Sequence, residues 1–258
     1  MRTGWIAFAV LLAACATAGS SDPPDGGSAE DALGADGTHV PDGGAPPADA
    51  PRPTGTFAFQ NGVSPTPSYT GATDTFLNEA DPNRPNGDHD FVIIDGAGPG
   101  AFGTKDLHGL FRWELSGIPA GAVVGKVTVI VTSIQNTDDQ TYDIVAMRRS
   151  WSEGEATWKL SKTGAPWQTG GARGDMDRDD AVLGRLAVPW LIPEPEDRRH
   201  EIVLGAEAIE LVQGWIDDPA TNQGLMLIGD DNANALDLKS SETTDPVQRP
   251  RLVIELAP

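Results

Sequence analysis

Cysteine is nearly absent from this chain: one, at position 15, in 258 residues. No internal disulfide can form, so any fold must rest on its apolar core. Basic residues are scarce as well. Lys and Arg number 18 against 38 Asp and Glu, a formal net charge of −20. Residues 1–53 hold two arginines and seven acids, so 16 basic and 31 acidic residues lie beyond them, a balance of −15. That balance argues against a nucleic-acid partner, whose affinity rests on neutralising phosphates with Lys and Arg, and none is expected. The same charge weighs against polyanionic ligands. Several chemical signatures are missing too. There is no H-E-x-x-H, no G-x-S-x-G elbow, no phosphate loop and no EF-hand spacing. The four histidines form no metal-ligand pattern. His39 lies in a low-complexity stretch, and His89, His108 and His200 are expected in surface loops. No nucleophile–base pair emerges, so a catalytic role is not expected.

The N-terminus carries a different kind of information. Arg2 precedes the apolar run Trp5 to Leu12, which is too short to span a bilayer as a mature helix. It leads into Leu12-Ala13-Ala14-Cys15, which resembles the lipobox of bacterial lipoproteins. That resemblance implies a signal peptide over 1–14, cleavage before Cys15, and lipid on its sulfur. The chain is then exported and anchored to a bacterial membrane, the outer membrane or cell surface by expectation. Residues 15–66 are dominated by Pro, Gly, Asp and Ala and cannot bury enough apolar surface to offset the entropy of ordering. They read as a disordered tether with a reach of roughly 40 Å as a flexible coil. The folded domain is expected over 67–258.

Within that domain, apolar and polar residues alternate with period two. Phe111, Trp113 and Leu115 share one face, and Arg112 and Glu114 the other. Val127, Val129 and Val131 oppose Lys126, Thr128 and Thr132. Similar runs include YDIVAMR, FVIID, VLGRLAV, EIVL, GLMLIG, ALDLKS and RLVIEL. Turn signals separate about nine or ten short strands. One segment, GAEAIELVQGWIDDP, has helical spacing and predicts a helix of two or three turns. The pattern predicts an all-β fold: an antiparallel β-sandwich, a jelly roll, with one short helix, and a monomer.

Six landmarks occur in order from Asp74 onward: DTFL, Asn86-Gly87, GLFRWELSGIPAG, WSEGEATW with PWQTGG, ELVQGWIDDPATNQG, and KSSE with RPRLVIEL. Together they resemble the DNRLRE domain family, jelly-roll modules that include polysaccharide-binding domains. The loops before Arg112 and between Gly171 and His200 look longer than that pattern. The resemblance implies a non-catalytic carbohydrate-binding module with a polysaccharide partner. The competing class is a structural or protein-interaction module of the cell surface without a sugar ligand. An exposed aromatic favours the first, and burial of all six domain tryptophans the second.

Several side chains are candidates for a site. Trp167 and Trp190 stand beside prolines in variable-looking loops and are candidate sugar platforms. Arg112 is a candidate carbohydrate contact or a structural cation. Glu153 and Glu155, if extended, would share a face roughly 6.5–7 Å apart, near the spacing of an inverting glycosidase. The stronger expectation is that Trp151 and Trp158 make this block a packing landmark, as the family resemblance implies; Trp113 and Trp215 are expected in the core. Acidic and amide clusters could hold structural calcium. The foremost is Asp81, Asn86, Asp88 and Asp90, then Asp175 to Asp180, and Asp230 to Asp237.

Overall fold

The computed structural model describes residues 52–96, 105–134, 139–191, 197–229 and 235–258. The readings on Cys15, on the signal peptide, on most of the tether and on Asp230 to Asn234 lie outside these residues.

Among the described residues the period-two runs become strands: β1 (Thr56–Phe59), β2 (Ala72–Asn78), β3 (Phe91–Ile94), β4 (Leu107–Trp113), β5 (Val124–Ser133), β6 (Gln140–Met147), β7 (Leu160–Lys162), β8 (Ala165–Pro166), β9 (Arg178–Val188), β10 (Arg198–Val203), β11 (Leu225–Ile228), β12 (Leu236–Lys239) and β13 (Arg251–Leu256). One sheet runs β1-β13-β5-β12-β3, with β10 also paired to β5. The other runs β2-β4-β11-β6-β9, and β7 and β8 form a small hairpin. Every pairing between these strands is antiparallel among the described residues. Successive strands from β1 to β6 alternate between the two sheets, so the chain repeatedly crosses the sandwich as in a jelly roll. The helix α1 spans Ala206–Asp217 and buries Ala208, Val212 and Trp215 against the core.

The folded unit begins earlier than the composition suggests. β1 pairs with β13, Thr56 opposite Glu255 and Phe59 opposite Leu252. Phe59 is fully buried, and Gln60 donates to the carbonyls of Val247 and Arg249. The expected boundary at 66/67 is therefore too late. Four residues of apolar strand bracketed by Pro and Gly were hidden by the tether's composition, and only a distant partner strand reveals them.

Alternation on the five-stranded sheet has two different destinations. Phe76, Phe111, Trp113, Tyr142, Ile144, Leu225 and Leu227 face the opposite sheet and build the main core. Their neighbours Leu77, Leu110, Val145, Met147, Met226 and Ile228 face away. That outer face is not solvated. The segment from Trp151 to Ala172 folds over it and drives Trp151, Trp158 and Trp167 into a second apolar cluster. β11 is consequently buried on both faces along its whole length, which explains why LMLI reads as a continuous apolar run rather than an alternating one.

Candidate functional site

Several landmark motifs, DTFL, Asn86-Gly87, Arg112 and KSSE, gather with the capping segment around Asp74 and Glu153. Residues 152–156 form a turn rather than a strand, with the N–H groups of Glu155 and Ala156 donating to the Ser152 carbonyl. The two glutamates therefore part company. Glu153 turns inward and its Oε1 accepts from the Asp74 N–H at 2.7 Å. Glu155 is exposed and accepts from the Thr163 hydroxyl. The face-sharing pair does not exist, and with it goes the glycosidase-like spacing. Gly87 fits beneath: a Cβ there would lie 2.3 Å from the Glu153 carbonyl oxygen. Asp74 also reaches the turn that follows β12, where its Oδ2 accepts from the Ser241 N–H at 2.8 Å.

Electrostatics follow from this crowding. Burial, then the Glu242 charge, push the Asp74 carboxyl well above the usual carboxylate range, with Glu153 adding to the effect. Burial raises Glu153 to about 7, the Asp74 N–H opposing and Glu242 reinforcing. Asp74 Oδ1 has no hydrogen-bond partner among the described residues.

The tryptophans divide sharply. Trp113, Trp151, Trp158, Trp167 and Trp215 are each at most 6% exposed. Trp167 was expected as a platform; its ring is instead part of the second cluster, and its Nε1 donates to the Thr157 carbonyl. The adjacent proline belongs to the β7–β8 hairpin, which folds that ring inward. Trp190 is the contrast, 50% exposed beside Leu191 at 42%. Its N–H donates to Asp139 Oδ1, and Arg198 Nη1 donates to the preceding Pro189 carbonyl, so the backbone beneath the ring is held.

Among the described residues, the first two calcium candidates do not assemble. Asn86 is buried and spends its amide on the carbonyls of Phe76 and Arg84. Asp81, Asp88 and Asp90 are exposed, and among the described residues no group of three or more His, Cys, Asp or Glu could hold a metal ion. Asp177 is fully buried, but its oxygens accept from Arg149 Nε and from the N–H groups of Gln168, Thr169 and Gly174. Protein donors fill the place a cation would take. Two of the histidines also differ from expectation. His108 lies on the outer face of β4, buried against Trp158, with Nδ1 2.8 Å from the Gly171 carbonyl; burial lowers it to about 3. His200 is buried on β10 beside the Ser133 hydroxyl.

Arg112 stands at the end of β4 with its guanidinium carbon 4.9 Å from the Trp151 ring centroid. Its Nη1 donates to the Trp151 carbonyl at 3.3 Å. It lines a cleft of about 490 Å³ with Glu114, Leu115, Ser116, Trp215, Pro219 and Asn222. Glu114, Ser116 and Asn222 were not singled out as site residues from the sequence. The signal was there in part, since the alternation placed Arg112 and Glu114 on one face.

Compared with known protein families the chain matches none, and no curated protein matches it.

Proposed function

We propose that this chain is an exported protein, lipid-anchored through Cys15, whose sandwich is a non-catalytic module that binds carbohydrate polymer at the rim formed by Trp190 and Leu191. The observation that carries this reading is the exposure of Trp190 in a domain that buries its other five tryptophans. An indole left half in water loses hydrophobic stabilisation, yet it offers a sugar's C–H face a large, rigid contact at low entropic cost. The ring's backbone is pinned at Asp139 and Pro189, so little ordering remains to oppose binding. The acidic surface favours neutral polymers over anionic ones.

Affinity electrophoresis of the full chain carrying Cys15→Ser, in gels containing neutral or acidic polysaccharides, tests the proposal. The expected result is retardation by a neutral polysaccharide that is lost in Trp190→Ala. Unchanged mobility across the panel would overturn it and turn the search to protein partners.

A further inference from the structure

Arg112 is a half-buried cation without an ion-pair partner among the described residues. Its only hydrogen bond uses Nη1, leaving Nε and Nη2 without acceptors among the described residues. The Trp151 ring below and the Nη1 bond to the Trp151 carbonyl restrain the guanidinium before anything binds. Glu114 stands two residues on, exposed at the same cleft, with its carboxylate in no hydrogen bond or ion pair among the described residues. Ser116 adds an exposed hydroxyl. Leu115, Trp215 and Pro219 supply apolar wall. The cleft's volume of about 490 Å³ lies within the range of small-ligand sites.

Charge decides which ligand suits this set. A bare arginine fork ordinarily selects carboxylate, sulfate or phosphate. Here Glu114 lines the same cleft, and both Glu114 and Glu153 act on Arg112. A dianion would meet one cation and one acid in the cleft lining, with Glu153 a further acid acting on Arg112 from outside it. A neutral diol meets no such repulsion: adjacent hydroxyls can accept from the Arg112 fork and donate to Glu114 at once. We infer that the cleft of Arg112, Glu114 and Ser116 is a second subsite, recognising vicinal hydroxyls of a neutral sugar. This rests on the carbohydrate reading proposed above but not on its rim. Trp190 is held beside Asp139 at the start of β6, whereas Met147 at the other end of β6 donates its N–H to Gly224, which packs against Arg112. The length of β6 separates the two places by roughly 23 Å.

Nuclear magnetic resonance on the full chain carrying Cys15→Ser can read both places at once. The probes are neutral tetrasaccharides of glucose, mannose, xylose and galactose, with tetragalacturonate and inorganic sulfate as anionic controls. Arg112 Nε–H and Trp215 Nε1–H report on the cleft, and Trp190 Nε1–H on the rim. The expected result is a saturable shift of the cleft signals with a neutral tetrasaccharide. Ser116→Trp, at an exposed position, should abolish it by filling the cleft. Glu114→Gln should weaken it about tenfold, the loss of one charge-assisted hydrogen bond. Cleft signals that move with no probe, or only with galacturonate or sulfate, would overturn the inference. Movement of Trp190 alone would sink the cleft and leave the rim standing. Movement of the cleft alone would do the reverse, and stillness at both would end both readings.

Discussion

The backbone N–H of Asp74 donates to Glu153 across 79 positions of sequence, and the two carboxyl groups it brings together are both raised by burial. One hydrogen bond thus ties the capping segment to the edge strand of the five-stranded sheet. It also creates a local acidity that bears on stability.

A carboxyl whose folded pKa lies above its unfolded value binds more protons when folded, so its contribution is present at low pH and lost as pH rises. For Glu153 that loss runs from the ordinary value of 4.5 to about 7, and for Asp95 from 3.8 to about 6. Asp74 acts in the same direction. His108 opposes them: its lowered pKa makes stability rise with pH between about 3 and 6.5, after which it is silent. From pH 6.5 to 8, then, melting temperature should fall. Glu153→Gln keeps the acceptor for Asp74 and removes the titration, so the fall should shrink. Calorimetry at both pH values checks this, and a slope unchanged in Glu153→Gln would refute the assignment.

Trp167→Ala should behave as a core deletion. It removes a buried ring and orphans the Thr157 carbonyl, and a cost of about 3–5 kcal/mol is expected. Trp190→Ala, at a half-exposed ring, should cost under about 1 kcal/mol. Denaturant unfolding of the two variants side by side would show the contrast, and equal losses would contradict the division of the tryptophans.

Asp177→Ala should be nearly as damaging as the Trp167 change. The carboxylate gathers three backbone N–H groups of the 168–174 turn and pairs with Arg149 at 2.6 Å. Removing it leaves a part-buried cation and three donors unsatisfied, for about 3–5 kcal/mol. Calcium should not rescue the wild type from chelator, because chelator should have no effect on its melting. A chelator-induced drop in melting temperature would instead restore a metal to this loop.

Most strands legible in the sequence alternate toward one core, while β11 was legible as a short apolar run between turn signals and is buried on both faces. Phe111 and Trp113 were placed correctly because their parity alone decides the face. β1 was not legible, since its partner β13 lies almost 200 positions away. Trp167 and Trp190 looked alike in sequence, each beside a proline. What separates them is a tertiary matter: one hairpin folds back over the sheet, and the other ring stands at the end of β9 with nothing described above it. Glu153 and Glu155 likewise obey strand parity only if their segment is a strand, and the turn at Ser152 cancels that premise. The cleft required three separate segments, the end of β4, the end of α1 and the turn at Pro219–Thr221, to meet.

The pairing of β1 with β13 has a mechanical side. Any pull transmitted along the chain from before residue 56 enters the domain through β1, a four-residue edge strand held on one side only. β13 behind it is flanked by β5 and stays seated in the sheet. β1 and Phe59 are thus the first elements such a pull would load, while Arg112 and Trp190 stand at the ends of β4 and β9 in the other sheet. A hold on the chain from its N-terminal side would have β1 between it and the strands that lead to Trp190 and Arg112.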